Sequence, residues 1–188
     1  QRIAEEHRQS HHHTQILVDC HELIRRKDYG AAHRRLSETD VSQSSHLQLL
    51  CTASRLCACT GQATLALEWA TRALRLNPQN PQALELQGWS RFLMGDTEQG
   101  SHLLYDACRM LNDDESSGAK SLLTQCQKMH TALSTAQSLI KKGQCEQAIA
   151  SFHVAVKESA NIPPAAPLYS SIRVGRADAR FRQGKYME

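Results

Sequence analysis

Four histidines near the start of the chain, His7, His11, His12 and His13, are the first side chains with metal-binding chemistry. His7 and His11 stand four apart, so on a helix both rings rise from one face, an arrangement able to chelate a transition metal. No cysteine or carboxylate is spaced to complete the site, and an exposed polar helix without a metal is the preferred reading. Cys57 and Cys59 form a second candidate, a redox or metal pair, but residues two apart on a helix face different directions. Of the seven cysteines, Cys20, Cys57, Cys108 and Cys126 fall on apolar stripes. That placement predicts buried, reduced thiols and a cytoplasmic setting, with a Cys108 to Cys126 link left open. The sequence holds no nucleophile elbow, no Gly-rich phosphate loop and no His-Glu-x-x-His, so neither an enzyme nor a cofactor is expected. Near the end, Arg173, Arg176 and Arg180 follow one another at three and four residues. This basic ridge suits an acidic peptide or a carboxyl terminus; the plainer alternative is a solvated face pairing with acids of a following helix. A formal charge of +3 with one short ridge does not predict nucleic-acid binding. No apolar run reaches the 18 residues of a membrane span, and no secretory signal pattern is present.

The elements that carry these side chains repeat. Three turn-like points, Lys27-Asp28, Gly61-Gln62 and Gly95-Asp96, lie 34 residues apart. An apolar amphipathic stretch precedes each turn, a small residue stands five positions after it, and a large apolar residue is expected four further on. The first copy has Ile16, Cys20 and Leu23, then Tyr29, Ala32 and Leu36. The second has Leu50, Ser54 and Cys57, then Ala66, Ala70 and Ala73, and closes at Leu76-Asn77-Pro78, where proline cannot continue a helix. In the third, Leu84, Gly88 and Phe92 precede Gly95, and Gly100, Leu104 and Ala107 follow. Each unit is therefore a pair of helices, and Ala66, Gly88, Gly100 and Ala136 are small because the pair must approach closely. A 34-residue period of helix pairs is the tetratricopeptide (TPR) spacing, and predicts an all-α, right-handed superhelix. Aromatic content of 5% and the lack of sustained period-two alternation argue against a sheet.

Two further units are out of phase. Gly143 opens the second helix of a fourth, with Ala148, Phe152 and Ala155 in place, and Gly184-Lys185-Tyr186 marks a fifth. Ala119, Leu122, Leu123, Cys126, Met129, Leu133, Ala136 and Ile140 make one apolar stripe, predicting a single helix over 117–142, roughly 40 Å long. Ser116 or Ser117 is placed to cap it after the acidic run Asp113-Asp114-Glu115. The expected organisation is a block over 1–114, with repeats at 13–46, 47–80 and 81–114 behind a preceding helical segment. A second block over 115–188 holds the linker helix, a fourth repeat at 129–160 and a truncated fifth at 168–188. The proline-rich stretch 160–167 absorbs the surplus length as a loop. Starting at Gln1 and stopping inside a repeat, the chain reads as a piece of a longer protein.

A repeat stack creates a concave groove lined by its first helices. Phasing places Leu17 and His21 there from the first unit, Gln48 and Arg55 from the second, and Glu85, Trp89 and Phe92 from the third. Trp89 is the expected anchor for a bound segment, with packing against a neighbouring first helix as its alternative; Trp69, on a second helix, is expected to pack between repeats.

The layout of three repeats, a long helical bridge and further repeats, with Leu74-Arg75-Leu76-Asn77-Pro78, Cys108-Arg109-Met110 and Lys128-Met129 leading to Gly143, resembles the TPR portion of J-domain co-chaperones. The resemblance spans nearly the whole chain. It implies a non-enzymatic scaffold with one of two partner classes: Hsp70 and Hsp90 in a cytosolic branch, or unfolded clients in a branch of the endoplasmic reticulum lumen. The His-Pro-Asp tripeptide of a J domain is not in this sequence. The cytosolic branch is known for a two-carboxylate clamp of Lys, Asn and Arg. Here the matching positions hold Leu17, His21, Thr52, Gln82 and Leu86, then Leu133 and Gln137, then Gly175. Apolar groove residues fit extended peptide or client better, while the cysteines favour the cytoplasm. A TPR subunit of a stable multiprotein assembly is the rival reading.

Overall fold

The computed structural model describes residues 2–41, 44–111 and 116–184, without the side chains of 2–10, 116 and 117. The described residues form an α-helical chain with no strand, as expected. The helices are α1 (Arg2–Arg25), α2 (Tyr29–Leu36), α3 (Leu47–Cys59), α4 (Ala63–Leu76), α5 (Pro81–Met94), α6 (Thr97–Met110), α7 (Ser116–Lys141), α8 (Cys145–Glu158) and α9 (Pro167–Arg182).

Successive helices pair around one turn geometry. Lys27, Gly61, Gly95 and Gly143 have φ of 61°, 83°, 101° and 74°. At each, the N–H donates to the carbonyl three residues back and the next N–H to the carbonyl five back from itself, as in Gly61 to Ala58 and Gln62 to Cys57. This double bond closes the first helix and reverses the chain. The following helix starts on a side-chain cap in two cases, Asp28 accepting from the Ala31 N–H at 3.0 Å and Asp96 from Gln99 at 3.3 Å.

Each pair meets at two small residues twelve apart. Cys20 and Ala32, Ser54 and Ala66, Gly88 and Gly100, and Ala136 and Ala148 are all buried. In the second pair the Ser54 hydroxyl donates to the Ala66 carbonyl at 2.7 Å, which satisfies a buried polar group inside the contact. In the third the backbones themselves touch: a Cβ on Gly100 would lie 2.8 Å from the Gly88 carbonyl oxygen and 2.8 Å from the Phe92 nitrogen.

The long helix α7 has 26 residues. Its stripe of Ala119, Leu123, Cys126, Met129, Ala132 and Ala136 is buried, because it packs on α6 on one side and α8 on the other. The cap offered by Ser116 or Ser117, and the acidic run before it, lie outside the described residues, as does the side chain of His7. Trp69 packs between repeats, touching three separate core clusters. The Arg72 guanidinium stands 5.9 Å from its ring centre.

The connection between α8 and α9 behaves differently from a surplus loop. After a 3-10 turn over Ser159–Asn161, Ile162 and Ala166 are buried, as is Leu168 at the start of α9. With Ile172 they join one continuous core with Cys57, Ala58, Phe92 and Leu93 of α3 and α5. The reason is apolar content: Ile162, Ala166 and Leu168 interrupt the prolines and find an apolar surface on α3 and α5 to cover.

Candidate peptide-binding groove

The groove residues named from phasing divide by burial. His21 and Gln48 are exposed, Leu17, Arg55, Glu85 and Trp89 are half-buried, and Phe92 is fully buried. Phe92 is therefore corrected from a groove residue to a core residue. Its backbone nitrogen and Cβ press on the space that a side chain at Gly100 would need, so the ring is held where α5 and α6 are closest. Trp89, one turn earlier, stacks on it with ring centres 5.7 Å apart and planes 10° apart. The pair makes a shelf with Phe92 as its buried foundation and Trp89 as its half-open surface.

Arg55 is the electrostatic centre of the groove. No carboxylate among the described residues lies within ion-pair distance of it, yet its charge is felt on all sides. Burial raises the Glu85 carboxyl above its usual range, and Arg55 opposes that rise. On the other side His21 is held below its usual value, by burial first and by Arg55 second, and its Nε2 stands 3.3 Å from the Thr52 hydroxyl. Burial pushes the Cys51 thiol up to about 11 against the pull of Arg55. Burial likewise raises Cys59, against Arg55 and a hydrogen bond with Tyr29. A half-buried guanidinium with no salt-bridge partner can receive a carboxylate or a row of carbonyl oxygens.

One turn further along the same faces the groove closes. Ala58 follows Arg55 by three residues, and Phe92 and Leu93 follow Trp89 by three and four, so these positions share the groove-facing sides of α3 and α5. All three are buried, within the core they share with Ile162, Ala166 and Leu168. Sequence phasing named Phe92 but not Ala58 or Leu93, although the three-and-four spacing from Arg55 and Trp89 pointed to both.

A second cleft of about 580 Å³ lies between α7 and α9 against the α5–α6 turn. The positions compared with the carboxylate clamp, Leu133, Gln137 and Gly175, meet there, joined by His130, Lys141 and Arg182. Thr52 and Leu86, by contrast, are buried. Gly175 is forced by its neighbour, since a Cβ there would lie 2.6 Å from the Phe152 ring. Along α9, Arg173 is exposed while Arg176 and Arg180 are half-buried, and Arg182 bonds Asp178 at 3.0 and 3.1 Å. Lys185 lies outside the described residues. Cys57, Cys59, Cys108 and Cys126 are free thiols, so the Cys108 to Cys126 link left open by the sequence is not formed. Among the described residues no three His, Cys, Asp or Glu side chains gather as a metal site, and no helix is long and apolar enough to cross a membrane.

Among solved structures, the crystal structure of the P58(IPK) TPR domain matches 92% of this chain with a TM-score of 0.60, at 16% sequence identity. The fold is a TPR superhelix. The chain spans 46% of that TPR domain's length. No protein-family model matches the sequence, and no curated protein does. TPR domains as a class bind proteins or peptides.

Proposed function

We propose that this chain is the non-enzymatic, peptide- or client-binding TPR region of an Hsp70/Hsp90-linked J-protein co-chaperone, working in the cytoplasm. Its repeats divide at 13–46, 47–80 and 81–114, then 129–160 and 168–188. The observation that carries the reading is the first groove, in which Arg55 stands half-buried without an ion-pair partner among the described residues and α5 offers the Trp89 ring on its Phe92 base. An extended segment would lay an apolar side chain on Trp89 and direct a carbonyl or carboxylate at Arg55, with Leu17, His21 and Glu85 along its path. Hsp70 and Hsp90 enter through the resemblance to J-domain co-chaperones; the groove chemistry itself favours client segments over a two-carboxylate clamp. Seven free thiols, most of them buried, support a reducing compartment. The rival reading, a subunit of a stable assembly, is favoured by Val174 and Phe181 on α9, which are 68% and 62% exposed.

The test is binding of the chain to three labelled probes: a denatured model protein, an Hsp70 carboxyl-terminal peptide and an Hsp90 carboxyl-terminal peptide. Trp89→Ala should weaken client binding about 30-fold, the effect of losing an aromatic anchor of about 2 kcal/mol, with helix content unchanged. Equal affinity in the variant would remove the first groove as the binding site, and silence on all three probes would favour the assembly subunit.

The groove should also respond to acid. His21 is held below 6.5, so it is neutral at pH 7.5 and gains its charge below that value. Glu85 is held above 4.5, so on acidification it loses its charge earlier than a free glutamate. Both changes make the wall beside Arg55 more positive. An acidic probe peptide in this groove should therefore bind about two- to fivefold tighter at pH 5 than at pH 7.5, at roughly 0.5–1 kcal/mol for an exposed charge pair. His21→Gln should remove part of that gain, as read by anisotropy titrations at the two pH values.

A further inference from the structure

A segment of the chain itself lies against the end of the first groove, at the α3–α4 turn. The connection between α8 and α9 covers 159–166, eight residues, where the α4–α5 connection needs only 77–80. Its extra length carries it to the α3–α4 turn. A Cβ on Gly61 would lie 2.8 Å from the Ala165 Cβ and 2.9 Å from the Ala166 nitrogen, so the backbone of the connection runs directly over the glycine. The equivalent turns at Gly95, Gly143 and Gly184 have nothing within 4 Å of the same point. Ile162, Ala166 and Leu168 are buried in the core that includes Ala58, Phe92 and Leu93, core positions one helical turn beyond Arg55 and Trp89.

The manner of attachment matters as much as its place. The backbone hydrogen bonds of the connection are local, Ile162 to Ser159, Ala166 to Pro163 and Tyr169 to Ala166. Among the described residues no hydrogen bond or ion pair joins 159–168 to α3, α4 or α5. The sequence Ser-Ala-Asn-Ile-Pro-Pro-Ala-Ala-Pro-Leu carries no charge. Shape and apolar burial alone hold it, with backbone at Ile162 and Ala166 in extended conformation, φ −87° and −68°.

We propose that 162–168 is a built-in plug of the first groove. The partner this groove takes is an extended segment that displaces the plug to bind. The stretch of it that replaces 162–168 is uncharged and made of small apolar residues with proline, any charge lying further along, towards Arg55. This rests on the reading of the first groove as a peptide site and names both its ligand class and its regulation. Gly61 sets the selectivity: a segment crossing it passes backbone first, so a bulky or charged residue at the crossing point is refused. Because bound peptide and plug compete for one surface, the apparent affinity is lowered by the fraction of molecules with the plug out.

The experiment uses the intact chain and a labelled synthetic peptide with the sequence of 159–169. Ile162→Asp together with Ala166→Asp should expel the plug and raise affinity for this peptide at least tenfold over the unaltered chain. Equal affinity in the two proteins, or no binding to a variant whose helix content is intact, overturns the proposal. Should the double variant fail to fold, hydrogen exchange on the unaltered chain decides: denatured client should speed exchange at the Ile162 and Ala166 amides and slow it at Gly61. Client binding that depends on Trp89 with exchange at 159–168 unchanged would remove the plug and leave the groove reading standing. Loss of client and peptide binding in every form would remove both.

Discussion

Phe92→Ala should cost about 3–5 kcal/mol of unfolding free energy, the usual range for deleting a buried phenylalanine. The ring is fully buried, belongs to the core shared by α3, α5, α7 and α9, and lies beside the backbone contact of Gly88 with Gly100. A cavity there cannot be filled by collapse, because α5 and α6 already touch through their backbones. Urea unfolding followed by circular dichroism would read the loss as a lower midpoint. The contrast with Trp89→Ala gives the result its meaning. Two aromatic rings stacked at 5.7 Å should separate cleanly, Phe92 affecting stability and Trp89 affecting binding with a small change in midpoint. If Phe92→Ala weakened binding without moving the midpoint, the assignment of this ring to the core would be wrong.

Gly61→Ala is the second large effect, and its magnitude comes from two sources. At φ 83° an alanine pays the left-handed penalty of about 1–2 kcal/mol. Its Cβ then meets the Ala165 Cβ and the Ala166 backbone below 3.0 Å, adding about 1–3 kcal/mol of overpacking, since the backbone has no rotamer to yield. Gly143→Ala is the matched control, with φ 74° and nothing within 4 Å, and should show the first cost alone. Comparing the two denaturation midpoints isolates the contact with the connection. Equal losses would mean that 165–166 does not press on Gly61 in solution.

Much of this architecture is legible in the chain because it is local. The turns at Gly61, Gly95 and Gly143 announce themselves through glycine, while the one at Lys27 is found by its 34-residue spacing from Gly61. The small pairs twelve residues apart follow from helix pairing over one unit. The long apolar stripe from Ala119 to Ile140 reads as one helix because its period never breaks. Burial at the groove is a different matter. Phasing gives the direction in which Phe92 points, but whether that direction is open depends on Ile162, Ala166 and Leu168, about 70 residues away. Those three stand among prolines, where the natural reading is a loop, and no periodicity marks a segment that is buried while extended. Arg55 illustrates the same limit from the other side: its place in the groove follows from spacing, while the half-buried Glu85, the exposed His21 and the buried Cys51 around it come from three different helices. Leu133, Gln137 and Gly175 could be named as equivalent positions, yet their meeting in one cleft depends on the angle at which α7 delivers α8 and α9.

The buried thiols give the molecule a set of internal clocks. A thiol reacts with an alkylating reagent as thiolate, so burial protects Cys51 and Cys57 twice, by blocking access and by raising both pKa values to about 11. Cys126 is fully enclosed, its pKa also driven upward by burial, and it lies in the core shared by α3, α5, α7 and α9. Cys145 sits half-exposed at the start of α8 and is the natural reference. Labelling at Cys51 then times the opening of the groove wall between α3 and its neighbours, and labelling at Cys126 times the separation of α7 from the helices around it. A partner that prises those helices apart would shorten the second interval, in a chain with no residue altered.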